Sequence, residues 1–165
     1  EEAEWSRPLG AGRGRGISLQ ESFGSLVAQV VEVTVTDGLR SVDRVVAVID
    51  PGLAVAPDGI AAQLESGIIY GLTAALYGEI TVENGAVVQS NFHDYPSVRM
   101  HEAPRIETHV INSGHNIGGA GEPGTPGIAP ALANAVFDAT GLRIRQLPLS
   151  NFDLNYQAEE ERSVG

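Results

Sequence analysis

Apolar and polar residues along this chain follow two periods. Leu26 to Val35 is a β-branched run broken only by Gln29 and Glu32, and it predicts a long strand. Val42 to Ile49 repeats that texture after the turn residues Asp37-Gly38, so the two strands are expected to pair antiparallel. From Ile60 to Tyr77 the period becomes helical: Leu64, Ile68, Leu72, Ala75 and Leu76 share a face, with Asp58 placed to cap it. Glu79–Val82 and Ala86–Gln89 flank Glu83-Asn84-Gly85, a hairpin signal. Ile106, Thr108 and Val110 alternate through a strand over Arg105–Ile111, and Leu142–Leu149 is expected to be a last strand. Between them a second helix is expected over Gly127–Ala139, with Thr125 as cap, Pro126 in the first turn and Gly141 closing it. Hairpins with two inserted helices predict an α+β fold.

The ends carry less pattern. Residues 1–16 read as an irregular lead-in, in which Arg13-Gly14-Arg15-Gly16 is a loop entering a strand at Ile17. Residues 153–165 read as an acidic tail. At 165 residues the chain is long enough for one domain with its own core. Its formal charge of −11 argues against nucleic acid or an anionic membrane surface as partner, since both require Lys/Arg patches. The absence of cysteine excludes thiolate metal sites and cysteine-ligated iron–sulfur clusters on this chain. No HxH or HExxH spacing joins His93, His101, His109 and His115, so no metal ligands are expected. No apolar run is long enough to span a membrane.

Candidate chemistry concentrates in the stretch Ile117 to Pro126, where four glycines and two prolines surround one carboxylate, Glu122. Such a loop takes backbone paths closed to most side-chained residues. Two readings of Glu122 stay open on spacing: a solvated partner of a helix dipole, or a pre-positioned base. On the first helix Gln63, Gly67 and Gly71 fall on one stripe at four-residue spacing. Glycines there cost roughly 1 kcal/mol each relative to alanine, which makes sense if another backbone or a ligand comes close.

Several segments, in order, resemble one family. They are Gly14-Arg15-Gly16-Ile17 with Ser22-Phe23-Gly24-Ser25, the Gln63-Leu64-Glu65-Ser66-Gly67 helix, Asn91-Phe92-His93-Asp94-Tyr95-Pro96, and Gly119-Ala120-Gly121-Glu122-Pro123-Gly124. Over roughly residues 5–152 the chain looks like the C-terminal part of the molybdenum-cofactor subunit of the xanthine dehydrogenase/aldehyde oxidase family. Within it, the isoquinoline 1-oxidoreductase and bacterial aldehyde dehydrogenase branch is the most similar. Ser66 departs from the family, which usually has a second glycine there.

The resemblance implies a molybdenum hydroxylase that oxidises an aldehyde or N-heterocycle with water as oxygen source. It makes Glu122 the catalytic base and Gln63 a contact to the pterin. Gly67, Gly118, Gly119 and Gly121 become positions where the cofactor approaches backbone. The implied cofactor is a molybdenum–pterin in the cytosine dinucleotide form, shared with a partner chain, with 2Fe–2S clusters on a different chain. Implied partners are the remainder of the molybdenum-cofactor subunit, a 2Fe–2S subunit and a cytochrome c or quinone-linked acceptor. The expected location is the periplasm, with the cytoplasm as alternative. The family's subunit is several times longer, so the chain is expected to be a fragment, split gene product or processed chain, inactive alone. A structural or assembly domain that keeps this fold without catalysis is the alternative.

Overall fold

The computed structural model describes residues 2–36 and 39–154, so the expected Asp37-Gly38 turn and most of the acidic tail lie outside the described residues. Among the described residues six strands and two α-helices follow one another, before a short 3-10 turn at Leu149–Asn151: β1 (Arg13–Ser22), β2 (Ser25–Thr36), β3 (Leu39–Asp50), α1 (Pro57–Leu76), β4 (Val82–Glu83), β5 (Ala86–Val87), β6 (Arg105–Val110) and α2 (Ile128–Thr140). The main sheet has the order β1-β2-β3-β6, and β4 and β5 form a separate exposed hairpin. The β2–β3 pair is antiparallel as the apolar runs predict, and the architecture is α+β. β6, however, joins β3 in parallel, with Val45 opposite Ile106 and Ile49 opposite Val110. A parallel neighbour requires the chain to cross back, and α1 and the β4–β5 arm make that crossing.

Alternation explains how the sheet is covered. Val27, Val31 and Val33 of β2 and Val45, Ala47 and Ile49 of β3 point into one core with Leu64, Ile68 and Leu72 of α1 and Ile128, Leu132 and Ala135 of α2. Both helices therefore cover the same face. Gly14 and Gly16 lie on that face, and a Cβ on either would run into the α2 backbone at Ala135 and Ala131. Hence the Arg-Gly-Arg-Gly stretch is strand and not loop, and β1 begins at Arg13, four residues before the expected start. Its glycines admit α2 and its arginines project from the other face.

That other face carries an ion network. Glu32, almost fully buried, accepts from Arg15 Nε and Nη2 at 3.0 and 2.6 Å and from Arg7 Nη2 at 3.2 Å. Arg15 also donates to the carbonyls of Glu4 and Trp5, tying the N-terminal segment across the sheet. Burial by itself would raise the Glu32 pKa. The Arg15 hydrogen bonds and the charges of Arg15, Arg7 and Arg44 outweigh it and hold the carboxyl below its ordinary value.

Three end assignments differ from expectation. Ala56, not Asp58, is the N-cap of α1, with Pro57 in the first turn and Asp58 making no cap hydrogen bond. Gly127 is the N-cap of α2, so Pro126 lies outside the helix and Thr125 bonds elsewhere, while Gly141 closes the helix in the left-handed region at φ 76° as expected. Leu142–Leu149 is not a strand: Ile144 and Leu149 enter the core without pairing to either sheet edge.

Candidate functional site

The C-terminal ends of β3 and β6 and the β1–β2 turn meet at one end of the main sheet. The glycine-rich loop between β6 and α2 is laid across this end and tied to it in sequence. Ile111 N donates to Ile49 O at 2.8 Å, Gly114 N to Gly52 O at 2.9 Å, Gly118 N to Pro51 O and Gly119 N to Phe23 O, both at 2.8 Å. Asp50 fixes the same corner by accepting from Gly52 N at 2.9 Å and Ser113 Oγ at 2.8 Å, which hold its carboxyl below the ordinary aspartate value.

From Gly119 onward, side chains of β1 and β2 take over. Ser25 Oγ donates to Gly119 O at 2.6 Å, Gln20 Nε2 to Pro123 O at 2.6 Å, Gln29 Nε2 to Gly124 O at 2.7 Å and Ser18 Oγ to Gly127 O at 2.7 Å. Thr125 N closes a turn onto Glu122 O at 3.0 Å, and Thr125 Oγ1 reaches α1 at Gly67 O, 3.2 Å away. Thus Pro123 and Gly124 are buried while Glu122, immediately before them, is exposed. Its carboxylate has no hydrogen bond or ion pair among the described residues. A loop held at this many points with one free carboxylate is a rigid mount for an acceptor of protons or hydrogen bonds.

The other expected site residues divide into two groups. Gln63 is exposed on the first turns of α1, next to Leu64, whose carbonyl oxygen lies 2.7 Å from where a Cβ on Gly124 would be. The seam between α1 and the loop thus runs between Leu64, the neighbour of Gln63, and Gly124, two residues after Glu122. Gly121, directly before Glu122, has open space around it. Gly67 and Gly71, by contrast, are buried, and the backbone that approaches them belongs to Gly124 and Thr125. Loop packing accounts for that part of the stripe, so the spacing gives no separate reason to put a ligand at Gly67. Gly118 and Gly119 are approached by Phe23 and Gly24 of the β1–β2 turn, which supplies the same explanation for them.

Ser18, Gln20, Ser25 and Gln29 were not among the expected site residues. Their sequence signal is period two: Gly14, Gly16, Ser18 and Gln20 alternate along the face of β1 that meets α2, and Gln29 sits directly opposite Ser18. A depression lined by Arg7, Arg13, Glu32, Arg44 and Glu107 lies on the opposite, charged face. Its groups pair with one another, at distances such as 2.7 Å between Arg44 and Glu107, and it takes no part in the Glu122 site.

Residues 11–104 match the family model described as the molybdopterin cofactor-binding domain. The chain belongs to that family, within the xanthine dehydrogenase/aldehyde oxidase group of molybdenum enzymes. It is 36% identical to the isoquinoline 1-oxidoreductase subunit beta of Brevundimonas diminuta, over 90% of this chain and 20% of that protein. It is 33% identical to a membrane-bound aldehyde dehydrogenase of Gluconacetobacter polyoxogenes, whose name carries pyrroloquinoline quinone, over 87% of this chain and 18% of that protein. Among solved structures, the reconstituted CO dehydrogenase from Oligotropha carboxidovorans superposes with a TM-score of 0.63 at 27% identity, covering 75% of this chain and 17% of its own. The chain spans about one fifth of the length of these curated relatives.

Proposed function

We propose that this chain forms the base-bearing wall of a molybdenum hydroxylase active site that oxidises an aldehyde or an N-heterocycle. The observation that carries the reading is the state of Glu122: exposed, with its carboxylate unpaired among the described residues, on a loop whose neighbouring carbonyls are fixed to the sheet. When bound, the molybdenum–pterin supplies two-electron oxidation with water as the oxygen source. The residues present fit such a group. The seam between the helix bearing Gln63 and the loop bearing Glu122, with open space at Gly121, offers an amide, an uncharged backbone and one proton acceptor.

The roles divide by chemistry. The Gln63 amide both donates and accepts hydrogen bonds and orients the cofactor. Gly121 lets the cofactor lie close to backbone. Gly67, Gly118 and Gly119 serve the site at one remove, by letting α1 and the β1–β2 turn support the loop. Glu122 Oε1 or Oε2 takes the proton released as water is used, and its rigid mount removes the need to reorganise at that moment.

An assembly is part of the proposal. The remainder of the molybdenum-cofactor subunit brings the pterin, in its cytosine dinucleotide form. A separate 2Fe–2S chain takes the electrons on to a cytochrome c or quinone-linked acceptor, since this chain has no cysteine to ligate a cluster. The periplasm is the proposed location. The test is co-expression of the chain with the missing part of the subunit and the 2Fe–2S chain. Stoichiometric molybdenum, together with turnover of aldehydes or N-heterocycles, is expected only in the complete assembly. Stoichiometric molybdenum in the isolated chain contradicts the shared site. Molybdenum without turnover in the complete assembly favours a structural domain.

A further inference from the structure

We infer that Gln29 is a positioning residue for Glu122: its buried amide, together with Gln20 and Ser18, sets where the loop that carries the carboxylate rests on the sheet. The inference rests on the proposed role of Glu122. Gln29 is fully buried in the middle of a valine-rich strand, where a side chain present only for packing would be apolar. Its Nε2 donates to Gly124 O at 2.7 Å, two residues along the chain from Glu122. Its Oε1 has no protein partner among the described residues, so the strand carries the cost of a half-satisfied buried amide in order to keep that one bond.

β1 completes the support. Ser18 lies directly opposite Gln29 in the β1–β2 register, and Gln20 is two residues further on the same face. Together the three side chains hold the carbonyls of Pro123 and Gly124, which no strand or helix pairs, and that of Gly127, which also accepts from Ala131 N at 3.2 Å as α2 begins. Ser18 Oγ, Gln20 Oε1 and Gln29 Oε1 lie 3.0, 3.1 and 3.1 Å from where a Cβ on Gly127 would be, so the loop backbone rests directly on this polar patch. The patch fixes a buried stretch that begins one residue after an exposed carboxylate with no bond of its own among the described residues. Loss of the patch therefore displaces Glu122 without touching it, and a misplacement of about 1 Å in a catalytic group costs about 100-fold in rate.

Hydrogen–deuterium exchange on the full chain tests this independently of the reaction. In Gln29→Leu, the amides of Gly118, Gly119 and Thr125 should exchange at least tenfold faster, with β3 and the C-terminal half of α1 within twofold of the parent. Gln29→Glu should regain protection when the carboxyl is protonated and can donate to Gly124, and lose it as the carboxyl ionises. If Gln29→Leu does not fold, Gln20→Ala, which removes the Pro123 bond from a half-buried position, carries the same expectation. In the complete assembly, the folded variant should lower kcat at least tenfold with KM and molybdenum content within twofold. Unchanged loop exchange, uniform acceleration across the domain, or a loosened loop with unchanged kcat overturns the inference. Full turnover in Glu122→Gln would remove the base itself, while the exchange data would still show whether Gln29 holds the loop.

Discussion

Gly71 of α1 and Thr125 of the glycine-rich loop meet backbone to backbone: a Cβ on Gly71 would stand 2.6 Å from Thr125 O. Ile128 crowds the same point from α2. The contact lets the helix bearing Gln63 and the loop bearing Glu122 close into one seam. Gly71→Ala gains about 1 kcal/mol in helix propensity. It loses up to about 3 kcal/mol to overpacking, because the obstacle is backbone and cannot rotate aside. Net destabilisation on the order of 2 kcal/mol is expected, a fall in melting temperature of about 4–8 °C for a domain of this size. Calorimetry of the variant measures it, and an unchanged melting temperature would mean that the seam is looser than described.

Gly121 gives the opposite expectation. Nothing stands within 4 Å of a Cβ at this position, so Gly121→Val should change stability by no more than about 0.5 kcal/mol. If the cofactor lies against this backbone, the same variant should lower the molybdenum content of the complete assembly severalfold. Metal analysis beside a melting curve separates the two effects, and full loading would move the cofactor away from Gly121.

Glu32 governs the acid side of stability. Its folded pKa lies below its ordinary value of 4.5, so its contribution is complete above that value and is lost as pH falls through the folded pKa. Glu107, held low by Arg44, acts in the same direction. Urea midpoints should therefore be flat from neutral pH down to about 5 and fall below about 4.5. Glu32→Gln should cost about 3 kcal/mol at neutral pH, since it leaves the buried Arg15 without its counter-charge. The variant should also show a weaker acid fall than the parent, and identical acid limbs in the two proteins would assign it elsewhere.

Periodicity made the long strands and both helices legible because each buries one continuous apolar face. It failed where burial is achieved without an apolar side chain. Gly14 and Gly16 are strand residues whose smallness admits α2, and in sequence they resemble a loop. It failed in the reverse sense at Leu142–Leu149, whose alternation puts Ile144 and Leu149 in the core with no partner strand. The parallel pairing of β3 with β6 depends on partners such as Val45 and Ile106, which no local pattern connects. At the candidate site, the two residues proposed to act, Glu122 and Gln63, were visible as a carboxylate in a glycine loop and a residue on a glycine stripe. The supports were not: Ser18, Gln20 and Gln29 act through backbone carbonyls about 100 residues away, with Gln20 and Pro123 separated by 103.

The role of Glu122 is tested most directly by Glu122→Gln in the complete assembly, with molybdenum content and turnover of an aldehyde substrate measured on one preparation. The Glu122 side chain is exposed and makes no hydrogen bond or ion pair among the described residues, so folding and metal loading should match the parent. Turnover should fall by at least about 100-fold, the scale of a lost general base. Turnover within a few-fold of the parent at equal molybdenum content would contradict the assignment.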